Sequence, residues 1–123
     1  MLTLLEFNMI PGLDKYLDYI RADYMKWQKL DTITDPTTLA IRKEMSEEFC
    51  SNISLDVGRN YIKVCTGRKG NGRSVHSFVC LRDMGKFTKG DILKAAGWSA
   101  PAKNFARGNV MAGNFGTISW TGA

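Results

Sequence analysis

A chain of 123 residues, 44% hydrophobic and with a net charge of +5, has the length of one domain and an ordinary globular composition, so residues 1–123 are read as a single unit. It contains no run of about 18 apolar residues, which argues against a transmembrane helix. The opening MLTLLEFNM lacks a basic stretch and a small-residue cleavage site, so no signal peptide is expected.

Residues 13 to 29 repeat Leu13, Leu17, Ile20, Tyr24 and Trp27 at steps of three and four, the stripe of an amphipathic helix. The apolar residues 1–12 before it are expected to form a strand or arm, broken at Pro11-Gly12. Asp35-Pro36 starts a second helix, with Asp35 as the cap and proline at the first position, where its missing N–H costs nothing. Ile41, Met45, Phe49 and Ile53 lie on one face of that helix. A short linker between two helices implies an antiparallel pair.

Beyond Gly58 the pattern becomes β-rich. Runs at 61–66 and 75–81 flank GRKGNGRS, and Asn71-Gly72 is the two-residue signal of a hairpin turn. With that turn, Val64 faces Val79 and Ile62 faces Leu81. The opposite face then carries Tyr61, Lys63, Cys65, His76, Phe78, Cys80 and Arg82, a mixture of rings and cations. Thr88-x-x-Asp91 can cap a short helix over 91–96 stopped by Gly97, with a strand through Asp91–Lys94 as the alternative. Ser99 can cap another over 100–107, with Pro101 in its first turn and Gly108 past its end. Strands are expected at 110–111 and 118–120. The expected fold is α+β: an N-terminal antiparallel helix pair, then a small antiparallel β-sheet with short C-terminal helices.

Charge divides the chain. Residues 59–107 hold 11 Lys/Arg against 2 Asp/Glu, whereas residues 1–58 hold 6 against 10. A basic second half attracts phosphates. Three cysteines, Cys50, Cys65 and Cys80, with no CxxC spacing argue against a disulfide framework or a zinc site and for reduced thiols in a cytosolic protein. His76 is the single histidine. Ser74 and Ser77 lie near it, but no acid is placed to orient a Ser–His pair. GRKGNGR is not a phosphate-binding loop of the Walker type, since no GKS or GKT follows. The expectation is binding without turnover and without a cofactor. Arg59, Lys94, Arg107 and Asn109 are the candidate phosphate and ribose ligands, and Phe78 or Trp98 would stack on a base. The alternative is a small basic DNA-binding protein with a degenerate helix-turn-helix over 91–107, in which Lys103 and Pro101 fit poorly.

YIKV, SVHSFV, KFTKGDILKAAGW, PAKNFARGNV and the terminal WTG resemble a family of small proteins common in tailed-phage genomes, over roughly residues 56–122. They are similar to the phage anti-Thoeris family, which sequesters cyclic ADP-ribose signals. The resemblance implies a non-catalytic sponge in the cytoplasm of an infected bacterial host. It would bind immune nucleotides such as glycocyclic ADP-ribose in pockets between subunits of a homodimer or higher symmetric homo-oligomer. It also implies cyclic oligonucleotides at a separate site in some members.

Overall fold

The computed structural model describes residues 10–68 and 71–123; the expected N-terminal arm lies mostly outside them. Two helices precede a five-stranded antiparallel sheet. Helix α1, Leu13–Gln28, buries Leu13, Tyr16, Leu17, Ile20 and Tyr24, the residues that share one face at the helical period. The chain enters α1 through Gly12 at φ 89°, where a Cβ would stand 2.7 Å from the Val110 carbonyl oxygen. Glycine alone fits both the left-handed backbone and that approach.

Helix α2, Pro36–Ser51, follows a short 3-10 turn, Leu30–Thr32. The Asp35 carboxylate accepts from the Thr38 backbone N–H at 3.0 Å and from the Thr38 hydroxyl at 2.6 Å, as the sequence predicts. The helices run antiparallel, and Arg21 on α1 donates to the Cys50 carbonyl oxygen near the end of α2. The anticipated apolar face of α2 is only partly covered. Phe49 stacks on Tyr24 at 4.0 Å and Trp120 meets Tyr24 edge-on, but Ile41 and Met45 are exposed. With Trp27 they line an open groove of about 320 Å³ between the helices.

The sheet comprises β1 (Ser54–Val57), β2 (Tyr61–Arg68), β3 (Asn71–Cys80), β4 (Asp91–Leu93) and β5 (Gly108–Asn109), paired in sequence order. Strand β1 was not anticipated. The β2–β3 register differs from expectation by two residues: Ile62 pairs with Val79, and Val64 with Ser77. Asn71 and Gly72 pair with Arg68 inside the ladder rather than forming the turn, and residues 69–70 lie outside the described residues. A slip of two preserves the faces. Ile62, Val64, Val79 and Ile92 pack against α1, while Phe78, Cys80 and Leu93 form a second cluster with Phe87 on the other face.

The faces change before Ser77, and Val75 packs with the Phe78 cluster. Val64 pairs with Ser77 but Cys65 pairs with Val75, so His76 is the extra residue of a β-bulge. The bulge turns His76, with Ser77, toward α1. His76 Nε2 lies 2.7 Å from the Ser119 carbonyl oxygen, which can only accept, so Nε2 carries the proton. Nδ1 then accepts from the Ser77 hydroxyl at 2.9 Å, and Ser77 accepts from the Tyr16 hydroxyl at 2.7 Å. Burial lowers the His76 pKa below its usual 6.5, and the Ser119 contact opposes this only in part. The unfolded chain therefore takes up a proton that the folded one refuses. Stability from this site is full above pH 6.5 and falls as pH drops from there to the lowered folded value. Urea midpoints measured against pH are expected to fall in that window, and His76→Gln is expected to remove that component.

The expected C-terminal helices do not form. Residues 91–93 are strand β4, the alternative expected there, and 100–107 contains no helix. The local contacts of a helix start are nevertheless present: Asp91 accepts from the Thr88 backbone N–H and hydroxyl. Ladder pairing of Ile92 with Val79 and Leu93 with Phe78 prevails over that local preference. Ala95 bridges Pro101, and Ala102 N–H donates to the Lys94 carbonyl, which folds 94–102 as a tight extended loop. The helix-turn-helix reading thus loses both of its helices. The last strand pairs at Gly108–Asn109 rather than at 110–111, and residues 118–120 form no strand. Ile118 is buried in the core all the same.

Candidate functional site

The β1–β2 turn closes with a hydrogen bond from Gly58 N–H to the Tyr61 carbonyl. That turn stands over the sheet face that does not meet α1. Between it and the 94–102 loop lies an open cleft of about 350 Å³, lined among others by Arg59, Tyr61, Lys63, Phe78, Ser99 and Asp56. Alternation along the strands dictates this gathering. Asp56 pairs with Lys63, and Lys63 with Phe78, so the three side chains form one row across the sheet. Tyr61 meets Phe78 edge-on at 5.9 Å. Phe78 is only 3% exposed, so it supplies the floor of the cleft rather than a free stacking face.

Lys63 joins the cleft to its neighbour, Trp98. The Lys63 ammonium lies 4.2 Å from the Trp98 ring centre, and the Arg73 guanidinium carbon lies 5.6 Å from it. Trp98 is 48% exposed, so it keeps surface available for a planar partner. Arg73 is committed to Asp56 at 2.8 Å. Arg59 and Lys63 have no ion-pair partner among the described residues. They are the cations an incoming anion can engage without breaking a pair.

The other sequence candidates fall elsewhere. Lys94 is exposed and does not line the cleft. Arg107 stacks on Phe105, its guanidinium carbon 4.0 Å from the ring centre. Asn109 is structural: its amide donates to Lys89 O and Asp91 Oδ1, and its oxygen accepts from Ala112 N–H. Among the six candidates, Arg59 and Phe78 share the cleft, and Trp98 adjoins it through Lys63. Tyr61 and Lys63 are not among those six, although the predicted hairpin face carries them together with Phe78. Asp56 gave no signal, because β1 itself gave none.

Ser77 and His76 are fully and nearly fully buried behind Tyr16, which leaves the pair inaccessible to a substrate. Burial raises the Cys65 thiol pKa and pushes that of Cys80 up to about 11. Among the described residues, no three His, Cys, Asp or Glu side chains gather as a metal site. No helix there is long and apolar enough to cross a membrane.

A sequence family described as "Family of unknown function (DUF7717)" matches residues 14–123. No curated protein and no solved structure matches the chain. The match takes in both helices and the whole sheet, and the chain belongs to the DUF7717 family.

Proposed function

We propose that the protein captures a phosphorylated nucleotide messenger in the Arg59–Lys63–Phe78 cleft and holds it without cleaving it. The ligand in this reading is a cyclic nucleotide of the glycocyclic ADP-ribose type, and the role is phage anti-defence in the cytoplasm of the bacterial host. The observation that carries it is the position of Lys63, which lines the cleft while lying over Trp98. One side chain thereby links a phosphate-sized positive site to an indole on which a base can stack. Arg59 adds a second uncommitted cation at the rim.

The cleft is near the lower end of the size range for small-molecule sites. It has room for part of a dinucleotide, which leaves the remainder for a second subunit to enclose. A homodimer or higher symmetric homo-oligomer belongs to the reading.

The test is a thermal-shift titration with cyclic ADP-ribose isomers, with particle mass read by light scattering. At ligand a hundredfold above Kd the expected stabilisation is about 2.7 kcal/mol. Heat-denatured protein is expected to release the ligand intact, from particles heavier than one chain. Recovery of a cleaved product would make the protein an enzyme, and no shift at millimolar ligand would refute the assignment of the cleft.

A further inference from the structure

The segment Lys103, Asn104, Phe105, Ala106 and Arg107 forms a second surface, apart from the cleft. Phe105 is 54% exposed, the most exposed phenylalanine among the described residues. Arg107 covers one face of that ring, with its guanidinium carbon 4.0 Å from the ring centre. More than half of the residue's surface is left to solvent.

Further positive charge lies along the segment that carries the ring. The Lys86 ammonium donates to the Asn104 carbonyl at 2.6 Å, which fixes a second cation beside the segment. Lys103 is exposed. None of Lys86, Lys103 and Arg107 has an ion-pair partner among the described residues. The Arg107 Nε is buried with no hydrogen-bond partner. Nearby acids are already occupied: Asp91 accepts from Thr88 and Asn109, and Asp83 accepts from the Lys89 backbone N–H. No acidic residue follows Asp91 in the chain.

We infer that this surface binds single-stranded nucleic acid. An open ring with a cation on its back face stacks bases of any sequence, and flanking cations follow the phosphates. Duplex DNA is the poorer match, because residues 91–107 offer no helix to a groove and paired bases present no free face. The site does not depend on the cleft, and it needs no second subunit.

Fluorescence anisotropy with a short labelled oligothymidylate, at a series of salt concentrations, tests the inference. Binding is expected at low salt and should weaken steeply as salt rises, because phosphate contacts release counterions. Phe105→Ala is expected to lower affinity by about tenfold or more, as loss of one stacked base would. Lys103→Glu is expected to reduce both affinity and the salt slope. Both positions are exposed, so circular dichroism melts should match wild type. An affinity unchanged by Phe105→Ala, equal affinity for a duplex of the same length, or no binding at low salt would each overturn the inference.

Discussion

Replacing Tyr16 by alanine is expected to cost about 3–5 kcal/mol, the range for deleting a large buried aromatic side chain. Tyr16 is fully buried and stands where three parts of the chain meet. Its ring packs edge-on against Phe115 at 5.3 Å, and its hydroxyl donates to Ser77 on β3. Ser77 hands the chain of hydrogen bonds to His76, which donates to Ser119. Alanine would remove the packing, leave a cavity beneath the sheet and detach α1 from the bulge that aims His76. Against a total stability of about 5–15 kcal/mol, that is a large fraction. Tyr16→Phe separates the two contributions. It keeps the ring, and the Ser77 hydroxyl still has His76 as partner, so the cost should be about 1 kcal/mol. Urea denaturation with unchanged m-values measures both. If alanine costs no more than phenylalanine, Tyr16 is not the joint between helix, sheet and C-terminal segment.

The parts of this fold that were readable in advance are those decided by neighbours in sequence. Asp35 caps α2 through Thr38, three residues away, and the α1 stripe repeats at a fixed period. What local sequence leaves open depends on distant partners. Thr88 and Asp91 make the contacts of a helix start, yet Ile92 and Leu93 join β3, because pairing and burial outweigh one capped turn. The hairpin faces are legible from Ser77 to Cys80 because a slip of two keeps alternation, while the bulge at His76 turns that ring toward α1 and brings Val75 to the face of Cys65. Only a polar partner on α1 reveals that reversal, and Tyr16 lies 60 residues away. The site shows the same division. Phe78 and its face followed from alternation. Arg107 and Asn109 have the right chemistry, which says nothing of geometry: one is stacked on Phe105 and the other is consumed by loop hydrogen bonds.

Lys63→Glu is expected to lower affinity for the nucleotide ligand about a hundredfold, close to 2.7 kcal/mol, which is the scale of a lost hydrogen bond to a charged group. The register makes this side chain decisive. Lys63 stands between Asp56 and Phe78 in one row, and of these three it alone brings positive charge to the cleft. A carboxylate there would face Asp56 directly across the strands, an unfavourable pairing of like charges. It would also uncover Trp98, whose contact with the ammonium is worth about 0.5–1 kcal/mol at an exposed site. Asp56 would keep Arg73 at 2.8 Å, so that cation could not move over to compensate. Lys63→Met keeps most of the aliphatic stem and loses only the charge, and should fall between wild type and the glutamate variant. Isothermal titration of the three proteins orders them, and their melting temperatures without ligand should stay within a few degrees of one another. Ligand affinity in Lys63→Glu within about threefold of wild type, roughly 0.7 kcal/mol, would remove the row across the sheet from the binding site. The messenger would then have to be held elsewhere, and the charge asymmetry of the chain would need another partner to explain it.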